Sequence, residues 1–96
     1  MKSSLFSVMN NNPNRSNQVL TAQNARLDIM GELEAIIGYE THLMQATLPS
    51  AQNTIKDIAK EEKLHVGQLF GLLFMLDPES KIQFEKGLKE FEDENK

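Results

Sequence analysis

Prolines divide this chain, and the long intervals between them decide what it can fold into. From Val19 to Pro49 there is no proline and no strand-like alternation, and the same holds from Ala51 to the break at Leu76-Asp77-Pro78. Helix interiors exclude proline, so intervals of this length are free to run as single helices. The spacing predicts helices over 19–47, 50–76 and 78–92, with Asp77 as N-cap and Pro78 in the first helical position of the third. Two long helices joined by a turn of about two residues must lie antiparallel. The expected fold is therefore all-α, an antiparallel two-helix hairpin followed by a short C-terminal helix. Ahead of it, Asn10, Asn11, Asn12, Asn14 and Asn17 crowd around Pro13. That composition favours turns, so residues 1–18 read as a polar, flexible leader to a helical domain of residues 19–96.

Each long helix carries an apolar stripe. In the first it runs through Ala22, Ala25, Ile29, Leu33, Ile36 and Leu43, and in the second through Ala51, Ile55, Ile58, Ala59, Val66, Leu69 and Leu73. These intervals are helical, and a lone hairpin shelters two such stripes poorly. The run Leu72-Leu73-Phe74-Met75-Leu76 is apolar all round, which asks for a further partner. Met30, Met44 and Met75 read as core or interface filler. Phe84, Leu88 and Phe91 give the third helix a narrow apolar face, expected to dock on a neighbouring chain.

Composition removes several classes of function. Ten Lys and Arg against fourteen Asp and Glu leave a net charge of −4, the wrong sign for a nucleic-acid groove. With no cysteine, thiolate metal sites, disulfides and thiol nucleophiles are excluded. No apolar run approaches the roughly 20 residues of a membrane span, and MKSSLFSVM lacks a secretory apolar region. The expected setting is the cytoplasm.

The stripes are interrupted by charge. At about 100° per residue, Glu32 lies about 60° from Ile29 and about 40° from Ile36, on the edge of the first stripe. Glu62 falls about 20° from Ile55, near the centre of the second, and His65 follows one turn later. Carboxylates on an apolar face are costly unless paired or metal-bound. About the turn at Leu48-Pro49, all three groups stand at nearly one height, roughly 20–25 Å away at 1.5 Å per residue. A Glu on one helix thus faces a Glu-x-x-His pair on its neighbour. That is half of the ligand set of a di-iron carboxylate centre, and two chains related by a two-fold axis would supply the whole. Tyr39, seven residues beyond Glu32 on the same side, reads either as a hydrogen-bond partner of a ligand carboxylate or as a packed interface aromatic with its hydroxyl in water. The opposing reading leaves Glu32 in water and pairs Glu62 with Lys63 or Arg26. His42 falls well off the stripe and reads as a surface histidine.

The stretches Glu32-Leu33-Glu34-Ala35-Ile36-Ile37-Gly38-Tyr39-Glu40 and Glu61-Glu62-Lys63-Leu64-His65 resemble the encapsulated ferritin family, and more loosely rubrerythrin-like domains. The resemblance covers roughly residues 20–77. It implies a ferritin-like four-helix bundle completed by dimerisation, homodimers assembling into a larger ring-like oligomer, and association with an encapsulin shell, hence a location inside an encapsulin nanocompartment. It also implies ligand roles for Glu32, Glu62 and His65, a place for Tyr39 beside the metals, and secondary metal contacts at Glu34 and Glu61. The chain departs from the family pattern at Gly31, where another Glu is expected, and at Gly38, where an aromatic often precedes the tyrosine.

Hard carboxylates with one imidazole per metal suit iron or manganese. The expected reaction is oxidation of Fe(II) to Fe(III) with dioxygen, one iron per chain, with manganese, zinc or calcium as substitutes. Two other readings remain at this point: a non-enzymatic acidic oligomerisation module whose buried charges set register, and a di-metal enzyme that reduces peroxide.

Overall fold

The computed structural model describes residues 13–96, with side chains from Ser16 onward. Three helices follow one another: α1, Pro13–Gln45; α2, Pro49–Leu76; and α3, Pro78–Glu94. Each begins on a proline, whose fixed φ suits the first helical position and whose missing N–H would be unsatisfied there anyway. Helices α1 and α2 form the antiparallel hairpin, and the backbone of α3 approaches α2 alone. The result is long and flat, 58 × 36 × 18 Å, and no strand occurs among the described residues.

The first helix starts six residues before the expected Val19, so residues 13–18 are helical and not part of a flexible leader. Composition was overridden by contacts at the far end of the hairpin: Ser16 is buried, and Gln18 donates through Nε2 to the Leu76 carbonyl at 2.9 Å. The remainder of the expected leader, residues 1–12, lies outside the described residues. At the other end α1 stops at Gln45, two residues early, because the turn needs Ala46 to Leu48. The Gln52 side chain donates to the Ala46 carbonyl at 2.8 Å, satisfying a group left free by the helix end.

Few side chains are enclosed. Ala22, Ala25, Ile29, Ala59 and Leu73 are buried, and Leu69, Phe70, Phe74 and Leu76 pack against this cluster. Leu33, expected in the stripe, is 46% exposed because it lies on the outer flank of α1. Met30, Met44 and Met75 are exposed as well, so they fill no core within this chain. So much exposed apolar surface on so small a chain marks an interaction surface.

The corner between α2 and α3 is tightly held. Asp77 caps α3, accepting from the Ser80 hydroxyl at 2.7 Å and, more distantly, from the Ser80 N–H. Arg26 of α1 reaches across and donates through Nη2 to Asp77 Oδ2 at 2.6 Å and to Ser80 Oγ at 2.8 Å. Phe84 packs against Phe74 and Phe70 of its own chain, with ring centroids 5.2 and 5.1 Å apart. Phe84 thus has ring partners within its own chain, yet 41% of it stays exposed. Leu88 and Phe91 remain exposed.

Candidate metal centre

Glu32 stands in the middle of α1, while Glu62 and His65 lie one turn apart on α2. Because the hairpin aligns their heights, the three side chains converge. One ligand atom from each lies within 4.8 Å of the others. His65 Nδ1 is 3.0 Å from Glu32 Oε2, at hydrogen-bond distance, and 3.8 Å from Glu62 Oε1. Donors around 2 Å from a common ion stand about 3–4 Å apart, so these spacings suit one metal per trio. The group is half-buried, with side-chain exposures of 24% for Glu32, 18% for Glu62 and 44% for His65.

Crowding two carboxyls has an electrostatic consequence. Glu62 is held above the ordinary carboxylate range. The leading cause is its hydrogen bond with Glu32, followed by partial withdrawal from water and by repulsion from the Glu32 charge, with His65 opposing. A hydrogen bond between two carboxyls requires that one of them keep its proton. A cation bound there would replace that proton, so the donor set fits a hard, positively charged ion.

The alternative pairings for Glu62 are absent. Arg26 is engaged with Asp77, and Lys63 reaches across to Glu40 at 2.6 Å. His42 is exposed in the last turn of α1. Tyr39 is half-buried and makes no hydrogen bond within the described chain, so it does not hold a ligand carboxylate in the single protomer. Glu34 points about 200° round α1 from Glu32 and is exposed. Glu61 is exposed too, and its charge adds to the upward pressure on Glu62.

A cleft of about 480 Å³ opens beside the trio, lined by Leu27, Asp28, Gly31, Glu32, His65, Gln68 and Leu69. Asp28 and Gln68 were not singled out in the sequence, although each lies one turn from a trio member (Asp28 four before Glu32, Gln68 three after His65). Gly31, the departure from the family pattern, forms part of this wall. A Cβ there would meet nothing within 4 Å, so packing inside the chain does not require glycine.

No protein-family model matches the chain. A ferritin-like-encapsulin shell fusion protein of Pyrococcus furiosus is 38% identical to it over 65 residues, which is 68% of this chain and 19% of that much longer protein. Among solved structures, the encapsulated ferritin domain from Pyrococcus furiosus matches with a TM-score of 0.76 at 33% identity, over 79% of this chain and 78% of that one.

Proposed function

The chain belongs to the encapsulated ferritin family, and from that premise we propose that it oxidises Fe(II) to Fe(III) with dioxygen as electron acceptor, at a centre shared between two copies. The ferritin-like fold points to iron handling. The observation that carries the finer reading is the convergence of Glu32 with Glu62 and His65 inside one hairpin. One Glu and one Glu-x-x-His are half of the six-ligand set of a di-iron carboxylate bundle. A two-fold partner doubles the set and covers apolar surface that one chain leaves in water.

In this reading iron is the substrate. Glu32 and Glu62 bind it and offset the positive charge that grows as Fe(II) becomes Fe(III). His65 binds through a neutral imidazole nitrogen, and the cleft along Asp28 and Gln68 gives access. Manganese, zinc or calcium would compete for the same oxygen-rich site. Homodimers joining into a ring-like oligomer complete the assembly. The relative from Pyrococcus furiosus is fused to an encapsulin shell, which supports an encapsulin nanocompartment in the cytoplasm as the place where this chain works.

Stopped-flow oxidation of Fe(II) by the full chain tests the proposal. Glu32→Ala, Glu62→Ala and His65→Ala should each abolish the fast phase, since each chain has no ligand to spare. Near wild-type rates for Glu62→Ala would overturn the assignment. Parallel measurement of dioxygen and peroxide consumption separates ferroxidation from peroxide reduction.

A further inference from the structure

His65 commits one ring nitrogen to the candidate centre and leaves the other without a partner. Nδ1 is the atom that faces Glu32 Oε2 at 3.0 Å and Glu62 Oε1 at 3.8 Å. Nε2, on the other side of the ring, makes no hydrogen bond among the described residues. A neutral imidazole carries a single N–H, so once Nδ1 gives its lone pair to a cation the proton must sit on Nε2. A histidine that binds metal donates this second N–H to an acceptor, which fixes the ring and makes it a better ligand. The backbone carbonyls around His65 are taken up by the hydrogen bonds of α2 itself, so a side chain has to supply that acceptor.

The cleft beside the trio offers two. Apart from Glu32 and His65, Asp28 and Gln68 are the polar side chains of its wall. Helix α1 ends at Gln45 and α2 begins at Pro49, which puts the midpoint of the hairpin at residue 47. Counted from there, His65 is 18 residues along α2, while Asp28 is 19 and Glu32 is 15 residues back along α1. At 1.5 Å per residue, His65 is within about 2 Å of the level of Asp28 and about 4–5 Å from that of Glu32. Asp28 lies about 40° round α1 from Glu32, and His65 about 60° round α2 from Glu62, both toward the open face. The ring therefore has Glu32 on its turn side and Asp28 level with it across the cleft. Asp28 makes no hydrogen bond or ion pair among the described residues, and a carboxylate accepts more strongly than the amide of Gln68.

We propose that Asp28 is a positioning residue for His65: its carboxylate accepts the Nε2–H, directly or across one water in the cleft, and so holds Nδ1 toward the metal. This role rests on the ferroxidase reading of the trio and deepens it. It gives Asp28 an effect on the equilibrium affinity for metal, which a role in access alone would not.

Zinc has no redox chemistry, so its binding reports on the site without turnover. The full-length chain, titrated with Zn(II) at fixed pH against a chromogenic chelator, should lose about tenfold to a hundredfold in affinity on Asp28→Ala, with one zinc per chain still bound at saturation. Asp28→Asn keeps an accepting oxygen without the charge and should restore most of that loss. The double variant Asp28→Ala, His65→Ala should bind no more weakly than His65→Ala alone, because Asp28 acts through the ring. In NMR spectra of the zinc-loaded chain, the Nε2 proton should exchange slowly with water in wild type and fast in Asp28→Ala. Wild-type affinity for Asp28→Ala, an Asn variant as weak as the Ala variant, or additive losses with His65→Ala would overturn the proposal and leave the trio as the metal site. A loss in Gln68→Ala without one in Asp28→Ala would also overturn it, since Gln68 would then be the acceptor. Zinc binding unchanged by His65→Ala would overturn the reading of the centre itself, and the role of Asp28 with it.

Discussion

Glu62 concentrates the electrostatic cost of the site in one carboxyl. An unfolded glutamate gives up its proton near pH 4.5, whereas folded Glu62, hydrogen-bonded to Glu32, keeps it to higher pH. Between those two values the folded state binds more protons than the unfolded state, so the contribution of Glu62 to stability falls as pH rises. Glutamine imitates the protonated form. Metal-free Glu62→Gln should therefore be more stable than wild type at neutral pH and no more stable near pH 4, as urea melts across that range would reveal. Parallel stability profiles for the two proteins would mean that the carboxyls do not interact. The same substitution should weaken binding of metal, because the amide cannot balance its charge.

Among the elements, α3 depends most on a single residue. Asp77 ends α2, caps α3 and receives Arg26 from α1, so three helices meet on one carboxylate. Its pKa is lowered, first by the Ser80 hydrogen bond and then by that from Arg26. The sign is opposite to that of Glu62: the stabilisation is present above the unfolded value of 3.8 and is lost as pH falls through the lower folded value. Asp77→Ala should cost about 0.5–2 kcal/mol, the usual range for losing an N-cap, and the deficit should shrink below about pH 3.8. Arg26→Ala should cost less, because that ion pair is 40% and 32% exposed and water screens it. Urea denaturation checks both. A larger loss for Arg26→Ala would place the corner's strength in the ion pair instead of the cap.

At the scale of the molecule, a centre completed by a second copy, as proposed, would couple metal to assembly. Whatever binds the dimer better than the monomer drives association by mass action, so saturation should come at one metal per chain and with an increase in mass. Protons act on the two states in opposite directions. Metal-free dimers, with carboxyls of both chains facing one another, should be weaker at neutral pH than near pH 5. Metal-loaded dimers should show the reverse, because protons compete with metal at every ligand. Sedimentation velocity at both pH values, with and without metal, measures the contrast. Identical responses would mean that the glutamates are not opposed across a two-fold interface.

Periodicity and proline placement were enough to determine three helices, the hairpin and the height at which Glu32 meets Glu62 and His65. All of these follow from the constant rise and rotation of a helix about a known turn. The cap at Asp77 was legible for the same local reason. What lay beyond the sequence depends on contacts between residues far apart along the chain. The start of α1 at Pro13 is held by Gln18 on the Leu76 carbonyl, against a local composition that favours turns. Phe84 found ring partners on its own chain because α2 presents Phe70 and Phe74 where α3 passes, while 41% of it stays exposed. Arg26 and Lys63, candidates to neutralise Glu62, found Asp77 and Glu40 instead. Local patterns specify elements and the spacing along them, but which charge meets which, and which apolar face stays bare, is settled only when the elements pack.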